Sequence, residues 1–333
     1  MAIGIGLIGA GTMGSDHAAI LSTAVSGAEL VAVSDPEAGR VGALVDRWPS
    51  VRPWADPLAL IRDPRVGAVI VATPDETHVE FTLACLRRGI AVLCEKPLAP
   101  SPEECLRVVE EEVALRRRLV TVGYMRRFDP GYVEMKRRLD ARELGEALLM
   151  HCVHRNAVAP SYSTTPMLIA NSAVHEFDIA RHLLGREVRR IRVVSPRKSG
   201  LATFHDPQLI LLEMEGGVIV DAEIFLNAQY GYDVRAELVC ERGAVALSAP
   251  HDVTVKTSAL EGFGFPGDWR PRFAAAYRAE LQAWVKGLPG KEPVGASAWD
   301  GYAAAAVAAA GLRSLETGQA AEVLMVPRPA LYS

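Results

Sequence analysis

Ile3-Gly4-Ile5-Gly6-Leu7-Ile8-Gly9-Ala10-Gly11-Thr12-Met13-Gly14, with Ser15-Asp16 behind it, carries the strongest fold signal in the chain. Ile3–Ile8 reads as a short apolar strand, Gly9–Gly14 fits G-x-G-x-x-G, and Asp16–Thr23 opens a helix. Glycine-rich turns are common, so the motif means little alone; a strand before it and a helix after it give it content. Gly9 then permits the tight turn, Gly11 lets the backbone approach a pyrophosphate, and Gly14 lets helix and strand pack closely. The helix start offers free N–H groups to the phosphates, with Thr12 and Met13 in the variable positions.

Working outward, Leu30–Ser34 reads as a second strand and Val66–Ala72 as a buried parallel strand too short for a helix. His78–Arg88 is helical, Ile90–Cys94 a strand, Pro102–Arg117 a helix and Leu119–Gly123 a strand. This alternation means βαβ units and a parallel sheet. Asp35 ends the second strand, 21 residues beyond Gly14. A carboxylate there accepts hydrogen bonds from adenosine ribose hydroxyls and repels a 2′-phosphate, so NAD is expected rather than NADP. The plainer reading of Asp35-Pro36 is a turn starter.

Beyond about residue 145 the pattern changes. Ala147–His154, Val188–Val194, Leu209–Glu215, Val218–Leu226, Asp233–Cys240 and Ala244–Leu247 are strand-like, and Gly216-Gly217 suits a tight hairpin turn. Strands joined by short turns imply an antiparallel sheet. Asn171–Leu184, Phe273–Lys286 and Ala298–Leu315 read as helices. The expected architecture is an α/β Rossmann domain over residues 1–123 followed by an α+β domain over 124–333. The second domain carries a large open, mostly antiparallel sheet, and the last helices are candidates to pack back on the first.

Composition excludes several classes. The 333 residues are 50% hydrophobic and 23% charged, with a net charge of −4, so nothing global favours nucleic acid or an anionic membrane. No apolar run reaches transmembrane length, and Met1–Ile8 is a strand rather than a signal peptide. The 5 cysteines have irregular spacings and no C-x-x-C, which suits reduced thiols in a cytoplasmic protein.

Cys94-Glu95-Lys96-Pro97 lies at the carboxyl end of a strand, where open α/β sheets bind their ligands. The plainer reading is a surface Glu95–Lys96 charge pair. Taken in order, Gly9–Gly14, Asp35, Ala72-Thr73-Pro74 and Glu95-Lys96-Pro97 resemble the glucose–fructose oxidoreductase/inositol dehydrogenase family. The resemblance continues through Tyr124–Asp129, His154-Arg155-Asn156, Val174–Asp178, Asp206-Pro207-Gln208, Tyr230–Asp233 and Trp299–Tyr302. The H-E-x-D and Y-G-Y-D stretches point to its inositol branch.

This resemblance implies NAD-dependent oxidation of a ring alcohol of a small-molecule polyol, myo-inositol to its 2-ketone above all. Lys96 would hydrogen-bond the reacting hydroxyl and His175 would be the general base. Histidine titrates near working pH, and a lysine cation stabilises alkoxide character. Thr73 and Glu95 join the cofactor contacts by the same resemblance. Met125, Arg126, Asn156, Asp178 and Tyr232 match positions that line the polyol pocket. Each has a plainer alternative, such as an ion pair for Arg126, a turn for Asn156 and sheet packing for Tyr232.

Where relatives commonly carry aspartate, four residues before the histidine, this chain has Asn171. It is expected to orient the imidazole, or else to cap the helix. The resemblance further implies a cis Lys96-Pro97 bond, a nicotinamide in the crevice between the domains and a homotetramer built through the sheets. No metal is expected: Ile179 breaks H-E-x-x-H, and His151 and His154 should face opposite sides of a strand. The competing functions are a related dehydrogenase for another inositol isomer, sugar or sugar phosphate, and a non-catalytic NAD-binding sensor.

Overall fold

The computed structural model describes residues 2–247, 254–288 and 293–333. The chain divides into two compact units. One comprises Met1–Phe128, Ala276–Ala305 and Val326–Ser333; the other comprises Asp129–Ala275 and Ala306–Met325.

The first unit holds β1 (Ile3–Ile8), α1 (Thr12–Ala24), β2 (Ala28–Ser34), α2 (Ala38–Arg47), β3 (Arg52–Pro53), α3 (Pro57–Arg62) and β4 (Ala68–Val71). These are followed by α4 (His78–Arg88), β5 (Ala91–Cys94), α5 (Pro102–Leu115) and β6 (Val120–Val122). The six strands are parallel in the order β3-β2-β1-β4-β5-β6, the doubly wound order whose direction switches beside β1. β4 and β5 are almost wholly buried, which is why they read as unbroken apolar runs rather than alternating ones. On one side Ile5, Leu7, Leu30 and Val33 pack with Leu21 of α1, Leu44 of α2 and with Leu281 and Trp284 from later in the chain.

Two details differ from the sequence reading. The first helix begins at Thr12, inside the glycine loop, because Gly11 is its N-cap and needs no side chain for that role. The short elements α2, β3 and α3 lie where no element was expected. β3 is two exposed residues, and α2 and α3 bury only two side chains each, too few to set a period.

The second unit contains α6 (Pro130–Asp140), β7 (Ala147–Arg155), the single turn α7 (Thr165–Met167), α8 (Val174–Leu184) and β8 (Val188–Val194). Then come β9 (Gln208–Met214), β10 (Ile219–Phe225), β11 (Asp233–Cys240), β12 (Gly243–Ala246) and a small hairpin of β13 (Val255–Thr257) with β14 (Leu260–Gly262). Two long helices, α9 (Trp269–Gly287) and α10 (Ala298–Thr317), precede β15 (Ala321–Glu322); residues 276–287 of α9 and 298–305 of α10 belong to the first unit. The large sheet runs β12-β11-β7-β10-β9-β8-β15. It is antiparallel except where β10 lies parallel to β7. The pairs β8–β9, β9–β10 and β11–β12 join neighbours in sequence, whereas β7–β11, β8–β15 and the parallel β7–β10 pair join distant segments.

β9 and β10 alternate buried and half-buried residues without a break. Met150, Cys152 and His154 of β7 point to the buried face, against which α8 packs. α8 is buried nearly all round, polar residues included. The stretch read as one helix from Asn171 is interrupted: Leu168–Ser172 is a π-helical turn, closed by the Ala173 N–H donating to the Leu168 carbonyl, five residues back. Among the described residues no helix is long and apolar enough to cross a membrane.

Candidate active site

The glycine loop is built as its spacing requires. Gly9 has φ +93°, and a Cβ there would lie 2.3 Å from the Ala72 carbonyl oxygen. A Cβ on Gly14 would lie 1.9 Å from the Gly9 carbonyl oxygen, so helix and strand touch at that point. Gly11 differs: its Cβ would meet only an Arg40 nitrogen, at 4.0 Å. That open side faces the start of α1, which has no side-chain cap and no acidic residue in its first turn. The first N–H groups of a helix have no acceptor within it. The cradle therefore fits an anionic pyrophosphate.

Asp35 closes the loop from below. Its Oδ2 accepts the Ala10 N–H at 2.7 Å and its Oδ1 accepts the Glu37 N–H at 2.8 Å, with Arg40 3.9 Å away. The contact to Glu37 is the turn-starting role; the contact to Ala10 ties the same carboxylate to the glycine loop. Each carboxylate oxygen keeps a second lone pair for a ribose hydroxyl.

Lys96 stands in a turn fixed from behind. Glu95 is 5% exposed. Its Oε2 accepts the Lys96 N–H at 3.1 Å, and its Oε1 lies 2.7 Å from His17 Nε2 of α1. Burial pushes the Glu95 carboxyl up, but the His17 hydrogen bond and the charges of His17 and Lys96 outweigh it and hold it below the ordinary carboxylate range. A Cβ on Gly123 would come within 3.1 Å of that carboxylate, so glycine leaves it room. The Lys96-Pro97 bond is cis, as is Asp206-Pro207. Thr73 follows β4, and its Oγ1 accepts the Thr77 hydroxyl at 2.7 Å. Met125 and Arg126, in a 3-10 turn after β6, are 2% and 1% exposed, so Arg126 is no surface charge.

The second unit gathers a separate group. His175, second residue of α8, is 8% exposed, and Asp178 on the same helix is buried. His154 projects from β7 with its Nδ1 3.2 Å from Glu176 Oε2. Its ring centroid is 6.2 Å from that of His175 and 6.1 Å from that of Tyr232, whose ring in turn meets Phe273 edge-on. Asn156 has its main-chain groups paired with Phe225 and Ala228, while its side-chain Oδ1 is buried with no donor among the described residues. That is an acceptor suited to a hydroxyl.

Asn171 lies within the π-helical turn. It is not the N-cap of α8, whose cap position is Ala173 and carries no side-chain cap bond. π-turns inside helices occur frequently at functional sites. His151 is on the opposite face of β7 from His154, 2.5 Å from Asp221. The sequence places His154 only in the family resemblance and in the rejected metal pair, with no site role, and gives His17 none. For His154 a signal was available: it shares strand parity with Asn156, so both favour one face. For His17 no local pattern pointed to Glu95.

Residues 3–124 match the model of the oxidoreductase family with an NAD-binding Rossmann fold, and residues 132–246 match the GFO/IDH/MocA C-terminal domain. Inositol 2-dehydrogenase 2 of Saccharopolyspora erythraea is 52% identical, over 100% of this chain and 99% of the relative. The chain belongs to the GFO/IDH/MocA family. Another relative within it is inositol 2-dehydrogenase of Streptomyces avermitilis, 43% identical over 99% of this chain and 97% of its own length. Among solved structures, myo-inositol dehydrogenase from Lactobacillus casei in complex with NAD(H) and myo-inositol is 32% identical. It covers 100% of both chains with a TM-score of 0.96. The first unit of this GFO/IDH/MocA chain is thus an NAD-binding Rossmann domain, and its glycine loop and Asp35 are the parts that match such a cofactor chemically.

Proposed function

We propose that the protein is an NAD-dependent dehydrogenase that oxidises myo-inositol to 2-keto-myo-inositol. The observation that carries this reading is likeness over the full length, in sequence and fold, to proteins named inositol 2-dehydrogenase and to a dehydrogenase holding NAD(H) and myo-inositol. Bound NAD supplies the hydride acceptor. The chain supplies the rest: Gly9, Gly11, Thr12, Met13 and Gly14 receive the pyrophosphate, Asp35 the ribose hydroxyls, and Thr73 and Glu95 shape the floor of the site.

In this reading Lys96 hydrogen-bonds the reacting hydroxyl and stabilises its developing negative charge. His175 takes the proton as general base. Asn171 orients the His175 ring without adding charge. Met125, Arg126, Asn156, Asp178 and Tyr232 hold the polyol, and the unfilled Asn156 Oδ1 supports its part. The same reading places the protein in the cytoplasm, in inositol breakdown, as a homotetramer assembled through its sheets. The five buried cysteine thiols suit a reducing compartment. The half-exposed outer face of the sheet, with Leu149 and Phe225, offers a surface for assembly.

The test is purified protein with NAD and a panel of inositol isomers, aldoses and sugar phosphates, read as NADH absorbance. The highest kcat/KM should fall on myo-inositol. A clear preference for another isomer or a sugar would replace the substrate, and no turnover with any would favour an NAD-binding sensor.

A further inference from the structure

His78 is the first residue of α4 and is 1% exposed. Its Nδ1 lies 2.7 Å from the Pro97 carbonyl oxygen and its Nε2 lies 2.9 Å from the Thr73 carbonyl oxygen. A carbonyl oxygen only accepts, and a neutral imidazole carries a single N–H. Both contacts are hydrogen bonds only if both nitrogens are protonated, so the geometry requires an imidazolium. Burial alone would push the group down; the neighbouring Cys94 side chain and the two carbonyls outweigh burial and raise it to about 10. The charge also sits at a helix N-terminus, where the helix dipole opposes a cation. The Cys94 side chain and the two carbonyl bonds together therefore overcome burial and dipole.

The two carbonyls are not arbitrary ones. Thr73 lies in the turn after β4, and Pro97 lies in the turn after β5, the adjacent strand of the sheet. One ring thus ties together the two turns at the carboxyl ends of those strands. One of these turns carries Lys96, immediately before Pro97. From the other side the same turn is held by Glu95, which receives the Lys96 N–H and meets His17.

We propose that His78 is a cationic clamp, a positioning residue that fixes Lys96 against the Thr73 turn by donating to both carbonyls. Its kinetic consequence rests on the dehydrogenase reading above; the clamp itself does not. A neutral, non-donating side chain at position 78 removes this donor from the buried Pro97 and part-buried Thr73 carbonyls and frees the turn. Misplacing a reacting group by about 1 Å costs on the order of 10²-fold in rate.

The test has three readouts on the full chain. In the first, histidine-15N-labelled protein is examined by NMR at neutral pH, with His78 assigned by loss of its signals in His78→Gln. Both ring nitrogens should carry protons; one protonated and one bare nitrogen would overturn the cation.

The second readout is independent of substrate. The chain has only 6 lysines, so reductive 13C-methylation gives few signals, and Lys96→Arg identifies that of Lys96. In His78→Leu the Lys96 signal should move while the others stay, and His78→Gln, which keeps an N–H donor, should move it less. An unmoved Lys96 signal in both variants would overturn the positioning role. Should His78→Leu fail to fold, His78→Gln against the parent decides the point alone. Third, kcat for NADH formation with myo-inositol at saturating NAD should fall roughly ten- to hundredfold in His78→Leu. If the parent protein lacks this activity but the first two readouts hold, the substrate reading fails and the clamp stands.

Discussion

The two units solve the same problem with different materials. The Rossmann unit makes its binding surface mainly from backbone: absent Cβ atoms at Gly9, Gly11 and Gly14, the first turn of α1, and carbonyls held by His78. The second unit makes its surface from side chains, with His154 from β7, Asn156 from just after it, Tyr232 from just before β11 and His175 from α8. A backbone surface recognises what all substrates of a family share and tolerates almost no added atom. A side-chain surface can be altered one group at a time, which suits the polyol contacts proposed for Asn156, Asp178 and Tyr232.

The sharpest way to break this contrast is at the two groups assigned to chemistry. General acid–base catalysis contributes roughly 10²–10⁴-fold. His175→Ala and Lys96→Ala should each lose about that much in kcat by NADH absorbance, with NAD binding retained. Near-normal turnover in either variant would remove that residue from the mechanism.

A second comparison pits one added methyl against one removed amide. Gly14→Ala places a carbon where the Gly9 carbonyl oxygen already stands, so the cradle must shift. We expect the Kd for NAD, measured by fluorescence titration, to rise by about tenfold or more, since the cradle depends on that close approach. Asn156→Ala should leave this Kd unchanged and raise KM for the polyol by about fivefold, the equivalent of a lost hydrogen bond near 1 kcal/mol. The reverse pattern would mean that the side-chain unit, not the backbone, holds the cofactor.

The fold was largely legible because its signals are local. The β1–glycine loop–α1 unit, β4 and β5 are consecutive residues whose burial shows as apolar runs, and the alternation of β9 and β10 shows as period two. The short α2, β3 and α3 bury too little to be seen, and the β7–β10 parallel pair depends on a long-range return that no local pattern encodes. The site divides in the same way. Gly9–Gly14 and Asp35 were readable from spacing, and Lys96 from its place at a strand end. His175, Asp178 and Tyr232 rested on resemblance, because their neighbours come from distant segments. His17 and His78 went unread because the groups they touch, Glu95, Thr73 and Pro97, become neighbours only through the fold.

A smaller effect concerns the charge inside the backbone-built unit. His78 has its folded-state value raised from 6.5 to about 10. The group then favours the folded state fully below about pH 6.5, and this contribution is lost as the pH rises through about 10. In urea titrations the stability gap between the parent and His78→Gln should be widest near neutral or lower pH and narrow towards pH 10. A gap independent of pH would indicate a neutral imidazole.

Smaller still is the effect expected at the π-helical turn. Asn171→Asp would place a carboxylate near the imidazole and raise its pKa. Because the base must be unprotonated for alcohol oxidation, the acidic limb of the kcat/KM profile should move to higher pH. The rate above the limb should stay level or rise. An unmoved limb would mean that Asn171 does not act on His175.

The central claim, NAD-dependent oxidation of myo-inositol, is met most directly by one measurement: initial rates of NADH formation by the purified protein with myo-inositol, run in parallel with NAD and with NADP. Saturable turnover is expected, with a clear preference for NAD, because Asp35 would repel a 2′-phosphate. No NADH formation from myo-inositol, or equal efficiency with NADP, would contradict it.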